Sequence, residues 1–226
     1  MEHTTSQFDT ELQALRHGAT TMGQMVERQF IRAVDAVRME DLGLAAQVLA
    51  DEADVNRMHV QIDLRCNRII ARRQPIAVDL REIIAILHIN NDLERIGDEA
   101  KKIAFKARDL AGRTLPIDTA VIERMSAIAS DMVRCAVEAF EKHDIGVSQT
   151  LAARDAEVDA LRDTMISALV ASMADDPKGV STALALVFIV QSIERVGDHA
   201  KNIAEYVVTV VEGVDTRHTK SATARA

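Results

Sequence analysis

Cysteine, proline and aromatic residues are scarce in this 226-residue sequence. The two cysteines, Cys66 and Cys135, stand far apart and outside any Cys-x-x-Cys motif, which excludes a disulfide framework and a thiolate zinc site. Aromatic residues make up 3% of the chain, so it lacks the stacking surfaces that bind single-stranded nucleic acid. A net charge of −8 also gives phosphate backbones little attraction. Nucleic acid is therefore excluded as a partner.

The sequence also lacks a targeting segment and a long apolar run. Its first residues do not combine a basic region with an apolar stretch, as a secretory signal would. The most apolar stretch, residues 183–190, is far shorter than the roughly 20 residues needed to cross a bilayer. These features predict a cytoplasmic protein without membrane insertion.

What the sequence does contain is apolar residues every three or four positions over long stretches, which predicts an all-α fold. Breaks fall at Pro75, Pro116 and Pro177, and Asp41 and Asp144 stand at positions typical of helix N-caps. The predicted helices cover residues 8–38, 42–73, 78–111, 117–142, 145–174 and 179–212.

An internal repeat divides these helices into two sets of three. Residues 94–104 and 194–204 are identical at eight of eleven positions, and residues 52–56 resemble residues 155–159. The repeat predicts two tandem three-helix bundles, at residues 1–114 and 115–215, followed by a disordered tail at residues 216–226.

Each repeat carries carboxylates four residues apart. Residues at this spacing differ by about 40° in direction and about 6 Å in height, so they lie on adjacent turns of one helix face. The pairs are Glu94 with Asp98, Asp155 with Asp159, and Glu194 with Asp198. If the fifth and sixth helices are antiparallel neighbours, four carboxylates converge, and a bound cation would offset their repulsion.

Oxygen ligands favour hard ions such as iron, manganese, magnesium or calcium over zinc, although His199 beside Asp198 leaves mixed ligation open. In the first repeat Glu52 matches Asp155, but Asn56 replaces the second carboxylate, so we expect weaker metal binding there. The alternative is a metal-free scaffold in which Asp98 pairs with Lys101 or Lys102, and Asp198 with Lys201.

Three segments resemble the PhoU family of phosphate-uptake regulators. They are Cys-Asn-Arg-Ile-Ile-Ala-Arg-Arg-Gln-Pro at 66–75, Asp-Leu-Glu-Arg-Ile-Gly-Asp at 92–98, and Ser-Ile-Glu-Arg-Val-Gly-Asp-His-Ala-Lys-Asn-Ile-Ala-Glu-Tyr at 192–206. The likeness runs from about residue 8 to Lys220 and includes the tandem three-helix arrangement.

The resemblance implies a cytoplasmic, dimeric negative regulator without catalytic activity. Its implied partners are the ATPase of the phosphate ABC transporter and the sensor histidine kinase of the phosphate response. It further implies metal, including iron clusters, at acidic motifs whose positions here are Glu52, Glu94, Asp98, Asp155, Asp159, Glu194 and Asp198.

Two other classes use helical bundles of this kind. A di-iron carboxylate enzyme characteristically needs Glu-x-x-His, which the sequence lacks. A histidine phosphotransfer protein needs an accessible helical histidine, for which the candidates are His17, His59, His88 and His199. Arg72 and Arg73 suit a helix C-terminus better than a phosphate sensor, because no anion-binding glycine loop accompanies them.

Overall fold

The computed structural model describes residues 2–213, and it confirms the all-α prediction with six helices. They are α1 (Glu2–Arg38), α2 (Leu42–Arg73), α3 (Ala77–Leu110), α4 (Ala120–Lys142), α5 (Val147–Asp175) and α6 (Val180–Glu212). The predicted tail at residues 216–226 lies outside the described residues.

Most helix boundaries follow from local sequence signals. Asp41 caps α2 as predicted, because its carboxylate accepts hydrogen bonds from the backbone amides of Gly43 and Leu44 at 2.7 and 3.1 Å. Gln74 ends the same helix with a left-handed backbone at φ 49°.

Three helices begin two to six residues away from their predicted starts. Asp144 is not an N-cap, because its carboxylate accepts from the amide of Gly146 at 2.9 Å within a turn, and α5 begins only at Val147. Asp118 forms the same kind of turn with Ala120, where α4 begins. Helix α1 begins at Glu2 and not at residue 8, because no strong breaker precedes the apolar pattern.

The two repeats form two three-helix bundles, α1–α3 and α4–α6, as predicted. The bundles meet along two pairs of helices, α3 against α6 and α1 against α4. The outer helices α2 and α5 contact only helices of their own repeat. One continuous apolar core therefore runs through both repeats, and its largest fully buried side chains include Met22, Phe30, Ile96, Met125 and Met132.

The contact between α3 and α6, here called the α3–α6 seam, is antiparallel and partly polar. His199 Nδ1 lies 2.7 Å from the carboxylate of buried Asp92, and Asn202 donates to that carboxylate at 3.3 Å. Farther along, the rings of His88 and Tyr206 stack with centroids 4.9 Å apart. These contacts tie the first repeat to the second.

Helix α6 is long and apolar enough, by length and composition alone, to pass for a membrane span. Of its most apolar window, 56% is buried inside the molecule, where α6 packs against α3, α4 and α5. That burial is what a core helix of a helical bundle shows.

Candidate functional site

The carboxylates of the second repeat converge between α5 and α6. Lys201 of α6 contacts Asp155 of α5, and Arg162 of α5 contacts Glu194 of α6. This antiparallel register places the middle of each helix face, Asp159 and Asp198, on the same stretch of the interface. The predicted gathering of four carboxylates on one bundle face is therefore present, and we call it the α5–α6 acidic cluster.

The negative charge of this cluster is incompletely compensated. Burial, followed by the repulsion of Asp198, raises the pKa of Glu194 above its ordinary value, although Arg162 opposes the shift. Burial and the carboxylates of Asp155 and Asp159 likewise raise the pKa of Asp198. Added positive charge at this place would stabilise the ionised carboxylates.

Two basic side chains already supply part of that charge. Arg162 lies 2.8 Å from Asp159 while contacting Glu194, so it joins the two helices at one end of the cluster. At the other end Lys201 contacts Asp155 and lies 3.9 Å from Asp198. Burial is the largest single influence on the pKa of Lys201 and lowers it, but the hydrogen bond to Asp155 and the charges of Asp155, Asp198 and Glu205 together outweigh burial and raise this pKa.

The first repeat arranges its polar groups differently between α2 and α3. Glu52 is buried and fully engaged: Gln29 of α1 donates to it at 3.2 Å, Asn56 at 3.2 Å and Lys101 at 3.3 Å. Lys101 also donates to Asp98 at 3.4 Å. Asn56 thus serves as a hydrogen-bond donor to Glu52 where the second repeat has a carboxylate.

The two repeats differ in residual charge as well. Three carboxylates of the first repeat, Glu52, Glu94 and Asp98, meet Lys101 and Arg95, which leaves a formal charge of −1 (three minus two). The four cluster carboxylates of the second repeat meet Arg162 and Lys201, which leaves −2 (four minus two), and Arg162 is shared with a fifth carboxylate, exposed Asp163, at 3.0 Å. The smaller negative charge of the first repeat agrees with the expectation that it binds metal more weakly. That expectation stays a prediction.

The carboxylate oxygens of the α5–α6 acidic cluster are the type of ligand that a hard cation prefers. They are not, however, arranged around one common position. Among residues 7–213, whose side chains the structure describes, no three His, Cys, Asp or Glu side chains are grouped as ligands of one ion. Lys201 and Arg162 lie against the oxygens that an ion would bind. An incoming ion would therefore have to displace one of these two side chains.

Sequence reasoning missed Gln29 and Arg162. Arg162 follows Asp159 by three residues, a spacing that signals a pair on one helix face. Gln29 lies on a different helix and bonds both Glu52 and the backbone carbonyl of Val48 at 3.0 Å, and no sequence signal indicates that contact. Its own carbonyl oxygen is buried without a partner among the described residues.

Three of the four candidate phosphotransfer histidines are engaged in packing or hydrogen bonds. His199 contacts Asp92, His88 stacks on Tyr206, and His59 lies 3.2 Å from the side chain of Asn91. His17 is exposed on α1 and lines a surface cavity of about 550 Å³. The arrangement thus leaves one exposed candidate, His17.

Comparison with known proteins gives a consistent result. The PhoU domain family matches residues 19–107 and 122–207, one match in each repeat. The phosphate-specific transport system accessory protein PhoU homolog of Pseudomonas aeruginosa is 41% identical over 217 residues, which cover 96% of this chain and 90% of that protein. The Escherichia coli accessory protein PhoU is 35% identical with the same coverage.

Solved structures agree with these sequence relatives. The crystal structure of PhoU from Pseudomonas aeruginosa superposes with a TM-score of 0.88 at 40% identity, covering 92% of this chain and 100% of that one. The phosphate transport system regulatory protein PhoU from Streptococcus pneumoniae gives a TM-score of 0.86 at 25% identity, covering 92% and 98%.

Proposed function

Because the chain belongs to the PhoU family of phosphate transport accessory and regulatory proteins, we propose that it is a cytoplasmic negative regulator of phosphate uptake and of phosphate-starvation signalling. It acts by contacts with the ATPase of the phosphate ABC transporter and with the phosphate-sensing histidine kinase, and it does so as a homodimer. No catalytic step belongs to this role.

The observation that carries the proposal is the agreement of fold and sequence with these relatives over almost the whole chain.

Deletion of the gene tests the regulatory role. In phosphate-rich medium, we expect deletion to switch on a phosphate-starvation reporter and to raise phosphate uptake, and the intact gene supplied in trans to reverse both. Affinity purification of the chain from the same cells should recover the transporter ATPase and the kinase. Normal repression in the deletion strain would contradict the proposal.

Metal binding is the second part of the proposal. The ion is iron, manganese or magnesium in preference to zinc, held by Glu194, Asp198, Asp155 and Asp159, with Glu52, Glu94 and Asp98 forming the weaker site. What supports this is the oxygen-only donor set and the raised carboxylate pKa values of the α5–α6 acidic cluster. An ion held by these residues would offset the mutual repulsion of the carboxylates on α5 and α6.

Replacing Lys201 by Met separates metal binding from simple salt bridging. The substitution leaves buried Asp155 without its cation, so unfolding free energy in chelator should fall by about 1–3 kcal/mol. Because the oxygens are then free, added Mn²⁺ should raise the melting temperature of the variant more than that of the parent protein.

Lys142→Met, at an exposed lysine outside the cluster, is the matched control. A variant that responds to Mn²⁺ no more than this control would favour the metal-free scaffold. In that second reading, Lys201 and Arg162 alone hold α5 against α6, and metal analysis of protein purified without chelator would find no bound ion.

A further inference from the structure

The C-terminal part of α2 and the turn after it are strongly basic in a chain that is acidic overall. Residues 64–78 contain four arginines and no acidic residue, while the whole chain has a net charge of −8. Arg73 is neutralised by Glu11 of α1, to which it donates two hydrogen bonds at 3.0 and 2.9 Å. Arg65, Arg68 and Arg72 are exposed, and Arg72 lies close enough to the same Glu11 carboxylate to help lower its pKa. One carboxylate thus faces Arg72 and Arg73 together, which leaves this end of α2 with an excess of positive charge.

These three arginines share one outward face of α2. Their spacing places them within an arc of about 60°. With Ile69, and with Glu11 and Ala14 of α1, they line a shallow groove of about 350 Å³ that holds three arginines and one carboxylate. Along the edge of the same face lie Val60 and Leu64, exposed at 54% and 58%. An apolar strip therefore runs beside a basic one on a helix that contacts only α1 and α3.

The turn that follows α2 and the first residues of α3 present two more apolar side chains. Ile76 is 77% exposed and Val78 is 53% exposed. Gln74 and Ala77 have positive φ angles of 49° and 47°, and Pro75 stands between them. The backbone thus holds this turn in a defined conformation in which Ile76 points into solvent.

The second repeat is an internal comparison. At the corresponding turn it has Asp175 and Asp176, and Lys178 occupies the position of Ile76. The packing of a three-helix unit therefore requires neither the arginines nor the exposed isoleucine. A constraint other than packing therefore accounts for the arginines and the exposed isoleucine of the first repeat.

We infer that this basic face and its apolar turn dock on the surface of a lipid bilayer that contains anionic phospholipids. Arg65, Arg68 and Arg72 meet headgroup phosphates, and Ile76 with Val78 enters the boundary between headgroups and acyl chains. A bilayer fits better than a small soluble anion, because a soluble anion gives no role to Ile76, Val78 and Leu64. The inference goes beyond the proposed regulatory function and needs no transporter or kinase.

Co-sedimentation of the full chain with vesicles tests the inference. We expect binding to vesicles of phosphatidylcholine with about one-third phosphatidylglycerol, no binding to pure phosphatidylcholine, and weakening as salt concentration rises. Arg65→Gln with Arg68→Gln and Arg72→Gln should lower the partition coefficient about 100-fold. Ile76→Ser with Val78→Ser should lower it on the order of 10-fold.

Matched controls come from the second repeat. Arg124→Gln with Lys142→Gln and Lys178→Gln changes the net charge equally at exposed positions, and Val170→Ser with Val180→Ser removes exposed apolar groups. These control variants should bind as the parent protein does. Circular dichroism melts confirm that each variant is folded.

Three outcomes would overturn the inference. They are the absence of binding to anionic vesicles, an equal loss in the control and test variants, and full displacement by inorganic phosphate at constant ionic strength. The last would assign the arginines to a soluble anion. Because only protein and vesicles are present, none of these outcomes bears on the regulatory proposal.

Discussion

At the scale of single residues, Gly97 and Gly197 occupy matching positions of the repeat but meet different surroundings. A Cβ atom on Gly97 would lie 3.2 Å from the side-chain oxygen of Gln29 and 3.3 Å from Val55. On Gly197 it would meet only the flexible end of Met132 at 3.6 Å, an ordinary contact. Close approach of a neighbouring helix thus explains the first glycine and not the second.

We therefore expect opposite effects of alanine at the two positions. Gly197→Ala should raise the unfolding free energy by about 0.5–1 kcal/mol, because alanine favours the helix. Gly97→Ala should lower it by about 1–3 kcal/mol, because Gln29 is held by its hydrogen bonds and Val55 by the core. Urea denaturation measures both changes, and equal effects would contradict the difference in packing.

Glu27 of α1 gives a prediction about pH. Its burial raises its pKa above the ordinary value of 4.5, despite opposing contributions from Arg134 and Ser130 of α4. The folded state therefore keeps this proton at pH values where the unfolded chain has lost it. The stability that Glu27 contributes is fully present below pH 4.5 and falls as pH rises through the folded-state pKa.

Glu27→Gln removes this dependence. We expect the variant to be more stable than the parent protein at pH 7, and the advantage to shrink as pH falls toward the ordinary pKa of glutamate. Thermal melts across this range measure the difference. An advantage that is independent of pH would show that the charge of Glu27 does not cause it.

At the scale of helices, α1 and α4 approach closely because of Gly23. A Cβ atom there would lie 2.5 Å from one methyl carbon of Val137 and 3.0 Å from the other, which is too close for either to remain in place. Gly23 is therefore a condition for the contact that joins the two bundles through their first helices.

Gly23→Ala should destabilise the protein by about 1–3 kcal/mol, because the added methyl overpacks this contact. Val137→Ala in the same background removes both clashing methyl groups, so the double variant should be more stable than the sum of the single effects predicts. Strictly additive effects would show that the clash with Val137 does not cause the loss of stability in Gly23→Ala.

Helix-level features were largely predictable from the sequence, because apolar periodicity sets which residues face the core. The repeat predicted the α5–α6 acidic cluster, since equal spacing on antiparallel neighbours brings Asp155, Asp159, Glu194 and Asp198 together. The position of Arg162 between Asp159 and Glu194 depends on the register of α5 against α6. Gln29 of α1 bonds Glu52 of α2 from outside the α2–α3 pair. The spacing of residues along one helix indicates neither the register between two helices nor a contact from a third helix.

At the scale of the whole molecule, the two repeats share one core although the sequence suggested separate bundles at residues 1–114 and 115–215. Periodicity marks α3 and α6 as buried, but it does not say that they bury against each other. Asp92 and Glu99, both buried, lie among apolar positions of α3, and Asp92 pairs with α6. Only the packed structure shows what these charges contact.

The shared core predicts a single unfolding transition for the whole chain. Tyr206, the only tyrosine, stacks on His88 across the α3–α6 seam, so its fluorescence reports on the contact between the repeats. In urea it should change together with far-ultraviolet circular dichroism, which reports on all six helices. Asp92→Ala should lower the midpoint of both signals equally, and separate transitions would show that the bundles unfold independently.

The placement of α2 and α5 outside the shared core has an evolutionary consequence. After a gene duplication, substitutions on the outward sides of these two helices meet no constraint from the sister unit, whereas changes on α3 or α6 must be matched across the seam. The two copies could then diverge in their exposed surface residues while keeping one architecture. An arginine-rich helix end in one unit and an aspartate-rich helix end in the other is the pattern that such divergence leaves.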